Sequence, residues 1–310
     1  MRIASLLPSA TEIVCAIGLE DELVAVTHEC DFPPSVMGRP VVTRNVFDEV
    51  GARSRDIHDR VTDAMHGGSS IYALDADALA ATEPDLVLTQ ELCRVCAVSY
   101  EDVNEAVRRI DADITVVSLE PTSIEGILNT ISTIGAMTEA EDAAMDLVAS
   151  LRERLSVIET RVAERRAAGH RAPRVVAVEW LDPPFAVGHW VPEQIRRAGG
   201  WDLLGLDGGK ALETTWDAVA EVDPEMLFLM PCGFHLGDTI MEWQRTRLPP
   251  WVADIPAVSR GTVIALDGSS YYSRPGPRVI DGIELLAEVM DPEGFRDIAP
   301  PDGWSPVGLP

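Results

Sequence analysis

The chain has 310 residues, 46% of them hydrophobic, with 51 acidic side chains against 25 basic ones and a formal net charge of −26. That length allows one large domain or two medium ones around a packed core. The acidic excess excludes nucleic acid and disfavours an anionic membrane, because phosphate recognition needs a basic surface, and it fits a salt-rich, halophilic setting where self-repulsion is screened.

In chain order, residues 2–7 read as a short strand and Ser9-Ala-Thr-Glu12 as a capping box opening a helix that stops at Gly18. Strands are predicted over 23–27, 86–89 and 114–119, and helices over 75–81, 98–110 and 123–137. Residues 139–168 form a single long helix: Ala140, Ala144, Leu147, Leu151, Leu155, Ile158 and Val162 recur at steps of three and four, with charge on the other faces and Gly169 as the stop. The same grammar then returns. Strand 174–178 parallels 2–7; Asp223-Pro224-Glu225 introduces strand 226–230 as Glu83-Pro84-Asp85 introduces 86–89; Thr262-Val-Ile-Ala-Leu-Asp267 matches Thr115-Val-Val-Ser-Leu-Glu120. A helix over 192–198 has Pro192 at its start and Gly199-Gly200 at its end.

Three matching modules on either side of one helix predict an α/β protein of two Rossmann-like lobes with mainly parallel sheets. The expected organisation is an N-terminal lobe over 1–137, the connecting helix over 138–170, a C-terminal lobe over 171–300 and a tail over 301–310. Ligands of open α/β sheets bind beyond the carboxyl ends of the strands. Six loops fall there, and they carry Ser9, His28, Glu29, Gln90, Cys93, Cys96, Trp180, Asp182, Phe185, His189, Trp190, Cys232, Phe234, Tyr271, Tyr272 and Arg274. Lobes that face each other would line one cleft with them.

Trp180, Phe185 and Trp190 on the loop 179–193 suit a flat macrocycle. Each alone is better explained by packing at the lobe's rim, but three on one loop favour ligand contact. Trp216, Tyr271 and Tyr272 extend this wall. Arg274 is placed either against a carboxamide or phosphate edge of a ligand or in solvent. Cys93-x-x-Cys96 reads as half of a metal site, a redox pair or two small buried side chains, with His28, Cys30 and Cys232 as further candidate ligands. Ser9 reads as a helix cap rather than a nucleophile. Gly205–Ala211 carries Gly209-Lys210 but lacks the glycine and hydroxyl of a phosphate loop, so nucleotide binding there is rejected.

The segments His28-Glu-Cys-Asp-Phe-Pro33, Leu88-Thr-Gln-Glu-Leu-Cys-Arg-Val-Cys-Ala97, Glu179-Trp-Leu-Asp-Pro-Pro-Phe185, Gly188-His-Trp-Val-Pro-Glu193 and Pro231-Cys-Gly-Phe234 resemble the cobalamin-binding branch of the class III periplasmic-binding-protein family. The resemblance implies a non-catalytic substrate-binding protein that holds a corrinoid (cobalamin or cobinamide) between two lobes, requires no cofactor, and works as carrier, sensor or salvage factor or with an ABC permease. His28 or His189 would then be candidates to meet the cobalt. Two alternatives stand beside it: a metal-centred protein or enzyme built on Cys93 and Cys96 with His28, Cys30 or Cys232, and a siderophore or haem binder on the same fold. Pro8 and Glu12 interrupt the first apolar stretch, and no leader or lipobox is read from the sequence, which gives a cytoplasmic expectation unless a leader has been removed. No run of ~20 apolar residues predicts a membrane span.

Overall fold

The computed structural model describes residues 1–46, 52–66, 71–90, 103, 106–107 and 113–310. The chain divides into two compact units, the first made of Met1–Ala52, Asp56–Pro121 and Gly126–Ala149, the second of Arg53–Arg55, Thr122–Glu125 and Ser150–Pro310.

The first unit runs through β1 (Ile3–Ser5), α1 (Pro8–Ala16), β2 (Leu23–Ala25), β3 (Thr43–Asn45), α2 (Ser54–His66), β4 (Tyr72–Leu74), α3 (Ala76–Ala81), β5 (Leu86–Thr89), β6 (Thr115–Ser118), α4 (Ile124–Met137) and the start of α5 (Glu141–Ala167). The terminal residues of α2 and α4 and the later turns of α5 are counted with the second unit. Four strands form a parallel sheet in the order β2-β1-β5-β6, and β3 pairs with β4. Every residue of β1 and β5 is buried, as a parallel strand covered on both faces requires. The first helix begins earlier than its capping-box spacing implies. Pro8 takes the first turn and extended Leu7 is the cap position, with no side-chain cap. Proline fits there because that N–H has no helical partner anyway. Ser9 is therefore buried inside the helix and not its cap. The helix expected over 98–110 lies mostly outside the described residues; Val103 and Val107 are buried with Ala4, Leu6 and Val87.

The second unit continues with β7 (Arg174–Leu181), β8 (Pro184–Ala186), α6 (Val191–Arg197), β9 (Trp201–Asp202), β10 (Leu212–Glu213), α7 (Trp216–Glu221), β11 (Met226–Leu229), α8 (Leu236–Arg245), α9 (Pro256–Ser259), β12 (Val263–Leu266), α10 (Gly268–Tyr271), α11 (Val279–Met290) and β13 (Trp304–Pro306). Its sheet has the order β10-β8-β7-β11-β12-β13, with β9 also on β7. The parallel trio β7, β11 and β12 matches the prediction; β8, β10 and β13 are antiparallel additions. Two expectations are thereby corrected. The segment 179–193 is not all loop, since β7 runs on to Leu181 and returns as β8. The last ten residues are not a free tail, since Trp304–Pro306 pair with Ile264, Ala265 and Leu266. Val175, Val176 and Val178 are fully buried, each contributing about 1.5–3 kcal/mol of apolar burial.

Helix α5 spans 27 residues, with Ala144, Val148, Leu151, Leu155, Ile158 and Val162 buried. Within the second unit Arg154 pairs with Glu284 and Asp281, and Arg165 makes a two-pronged pair with Asp291 at 2.6 and 2.7 Å. Gly169 ends the helix as expected, at φ +95°, where its N–H and that of His170 satisfy the Arg166 and Arg165 carbonyls.

Candidate functional site

Cys93 and Cys96 lie outside the described residues. In the first unit the remaining sequence candidates gather at the carboxyl ends of β1, β2 and β5. The Cys30 thiol is buried, 3.1 Å from the Thr11 hydroxyl and 3.2 Å from that of Thr27, and Thr11 donates to Ser5 at 2.8 Å. His28 is half-buried. Its Nδ1 lies 2.7 Å from the Thr43 hydroxyl and its ring 5.2 Å from that of Tyr72, while Nε2 stands 3.3 Å from the Glu29 carboxylate without hydrogen-bond geometry. Gln90, just beyond β5, is 7% exposed. Among the described residues no three His, Cys, Asp or Glu side chains are placed to hold a metal ion.

The second unit presents a different surface at the carboxyl ends of β7 and β11. Trp180 stands edge-on to Phe234, with ring centroids 5.5 Å apart and planes at 72°, a favoured aromatic geometry. The indole is oriented by its polar end: Nε1 donates to the Ser54 carbonyl at 3.1 Å. Ser54 is itself held, because its N–H (2.7 Å) and hydroxyl (2.5 Å) both donate to one oxygen of Glu242, whose other oxygen takes Arg245 Nε at 2.8 Å. Glu242 is 1% exposed, so the two bonds from Ser54 are made away from water, while Arg245 reaches the same carboxylate from a partly exposed position. Beside Trp180, Arg55 pairs with Asp182. Ser54, Arg55 and Glu242 were not singled out from the sequence. The fragment 53–55 lies far from β7 in the chain, and only the fold counts it with this unit. A serine opening a helical stretch was the one signal it offered.

Other expected wall residues go elsewhere. Trp216 is buried 5.9 Å from Trp243 within the core that also holds Val219, Leu227 and Val252. Tyr272 is buried and its hydroxyl donates to the Gly282 carbonyl. Arg274 is 7% exposed, which removes the solvated-surface reading. Trp190 is buried, at 5% exposed. Its neighbour His189 adopts φ 52°, its ring 5.7 Å from that of Trp190, and burial together with Lys210 lowers the imidazole's affinity for a proton. The loop is bent tightly there. A side chain on Gly188 would strike the Ala211 nitrogen at 2.4 Å, so only glycine fits. Phe185 pairs with Trp180 across β7 and β8, and both are half-buried. Tyr271 is half-buried with the Arg278 guanidinium 5.9 Å from its ring centre. Cys232 follows β11, its N–H donating to the Glu179 carbonyl at 3.0 Å.

Two α/β units, the second ending in an oriented aromatic surface beyond its parallel strands, define a solute-binding protein. Residues 3–269 match the family model described as periplasmic binding protein, and the chain belongs to that family, in its type III form. Its members are non-catalytic and bind their solutes without a catalytic cofactor. An ABC transporter substrate-binding lipoprotein of Bacillus subtilis (strain 168) is 25% identical over 302 residues, covering 96% of this chain and 82% of that one. A vitamin B12-binding protein of Vibrio cholerae is 21% identical over 292 residues, covering 93% and 88%. A periplasmic haem-binding protein of Pseudomonas aeruginosa shares the fold with a TM-score of 0.69 at 19% identity, covering 100% and 95%. The cytoplasmic expectation is overturned by these findings. The family and the haem-binding protein are periplasmic and the B. subtilis relative is a lipoprotein, which points to an exported protein. No helix among the described residues is long and apolar enough to cross a membrane.

Proposed function

We propose that this chain binds a corrinoid of the cobalamin type and passes it to an ABC permease. The observation that carries the reading is the Trp180–Phe234 pair. An edge-to-face aromatic pair at the carboxyl end of an α/β sheet, half-buried and with its indole N–H already bonded, offers apolar area to the flank of a large, flat, amphipathic macrocycle. The fixed indole adds little ordering cost on binding. The V. cholerae vitamin B12-binding relative supports the ligand class. The family as a whole supports delivery of a small solute, and the B. subtilis relative supports an ABC transporter as the partner.

Gel filtration of the protein after incubation with cyanocobalamin or dicyanocobinamide, in high salt, tests the reading. Corrin absorbance should travel with the protein peak at one equivalent. A peak free of corrin, with haemin retained in a parallel run, would replace the corrinoid with haem.

A further inference from the structure

One polar group at this surface is left over by the aromatic pair. Val178 pairs with Ala186 and Trp180 with Phe185, so Glu179 is the extra residue of a bulge in the β7–β8 ladder. Bulges re-aim a side chain and cluster beside binding sites. The carboxyl of Glu179 takes one hydrogen bond among the described residues, from the Gly188 N–H at 3.3 Å. A carboxyl has room for several more. The titratable group facing it is the Cys232 thiol on the loop after β11. Burial first, and that thiol second, push the Glu179 carboxyl up to about 8 against the opposing Gly188 N–H. At neutral pH the group is therefore both a donor and an acceptor. It sits next in sequence to the ring that meets Phe234, where a macrocycle's rim would fall.

Resting on the corrinoid reading, we propose that Glu179 is the specificity-determining contact for a primary carboxamide on the ligand's rim, donating to the amide oxygen, accepting an amide N–H in return, and selecting amide-bearing corrinoids over their carboxylate counterparts. The discrimination follows from counting donors. An amide and a carboxylic acid satisfy each other twice, whereas a carboxylate brings acceptors alone and leaves the acid's carbonyl oxygen facing another oxygen. The chain's net charge of −26 further disfavours an anionic rim. A site built to bond a particular polar group rejects an analogue that leaves its own polar atoms unpaired.

Titrating dicyanocobinamide and its all-carboxylate analogue, dicyanocobyrinic acid, into wild type, Glu179→Gln and Glu179→Ala tests the assignment, with a thermal melt of each protein alongside. Wild type should prefer the amide form by about 10-fold, Glu179→Gln, still donor and acceptor, should stay within about 3-fold of it, and Glu179→Ala should lose most of the preference. A folded alanine variant that keeps the wild-type preference overturns the assignment and leaves the corrinoid reading standing. A wild type that binds neither corrinoid overturns both. Should Glu179→Ala fail to fold, the pH profile decides with the other two proteins. The wild-type preference should widen between pH 7 and about 9.5, because the ionised carboxylate still accepts an amide N–H but repels a carboxylate, while that of Glu179→Gln stays flat, and superimposable profiles overturn the assignment.

Discussion

The two units are built on the same staple at the amino ends of their sheets and diverge at the carboxyl ends. In the first, Arg2 N–H donates to Asp85 at 2.7 Å, Asp85 N–H returns to the Arg2 carbonyl, and the Arg2 guanidinium reaches the Thr82 carbonyl. In the second, Arg174 N–H donates to Glu225 at 3.0 Å, Glu225 N–H returns to the Arg174 carbonyl, and the guanidinium reaches the Val222 carbonyl. Even the caps correspond, Asp75 accepting from Ala78 N–H and Thr215 from Ala218 N–H. Beyond the strands the likeness ends. The first unit closes Ser5, Thr11, Thr27 and Cys30 into a buried network of small polar groups. The second extends β7, bulges at Glu179 and turns back through β8 to carry Trp180 and Phe185. One end of each module is fixed by what the sheet needs, and the other is left for what the solute needs.

The largest expected effect separates core from surface. Trp216→Ala should cost about 3–5 kcal/mol in urea denaturation, because it empties a filled core beside Trp243. Trp180→Ala should cost little stability yet weaken corrinoid binding about 10-fold, as an aromatic removed from a ligand surface does. If Trp216→Ala instead lost binding at unchanged stability, the division between the two tryptophans would be wrong. Next comes the hidden support. Glu242→Ala leaves the Ser54 N–H and hydroxyl without their buried acceptor, an expected loss of about 3 kcal/mol. The emission of Trp180 should shift with it, and an unshifted spectrum would show that Ser54 does not orient the indole.

A smaller effect depends on pH. The folded Glu179 carboxyl titrates near 8, above its ordinary value of 4.5. Between those values the unfolded chain has given up this proton and the folded chain keeps it, so stability falls as pH rises from about 4.5 to 8 and then levels off. Glu179→Gln removes that slope and should leave the protein more stable than wild type at pH 8, by about 1–3 kcal/mol. Melting temperatures of both proteins across pH 5–9 check this, and parallel curves would refute it.

How far the sequence could be read follows the same division. The modules were legible because their signals are local: a turn tripeptide with proline, a short apolar strand, a helix with apolar residues every three or four. Gly169 is a stop for a backbone reason that glycine alone announces. The carboxyl-end residues were legible as a list but not as a geometry. Nothing in the letters distinguishes Trp180, held to the Ser54 carbonyl, from Trp216, packed on Trp243, because side-chain direction is decided by distant neighbours. The hairpin of β7 and β8 was hidden by Asp182-Pro183-Pro184, which reads as loop even though proline is tolerated at the first position of a strand. Strand β13 was hidden likewise in a proline-rich end.

The smallest effect tests the staple itself. Glu83 and Asp223 precede the matching prolines and both hold left-handed backbone, at φ 43° and 48°. A residue with a Cβ is strained there, and glycine is not. Glycine also gains freedom in the unfolded chain, which opposes the benefit. The strain relieved in the folded state, roughly 1 kcal/mol, is comparable to or slightly larger than that entropy. Glu83→Gly and Asp223→Gly should therefore each be neutral to stabilising by up to about 0.5 kcal/mol. The expectation is the same for both because the backbone is the same, while their surroundings differ. Matching small shifts in urea midpoint would mark the two turns as equivalent. A loss above about 1 kcal/mol at one of them would show that its side chain carries weight beyond the turn, breaking the correspondence between the units.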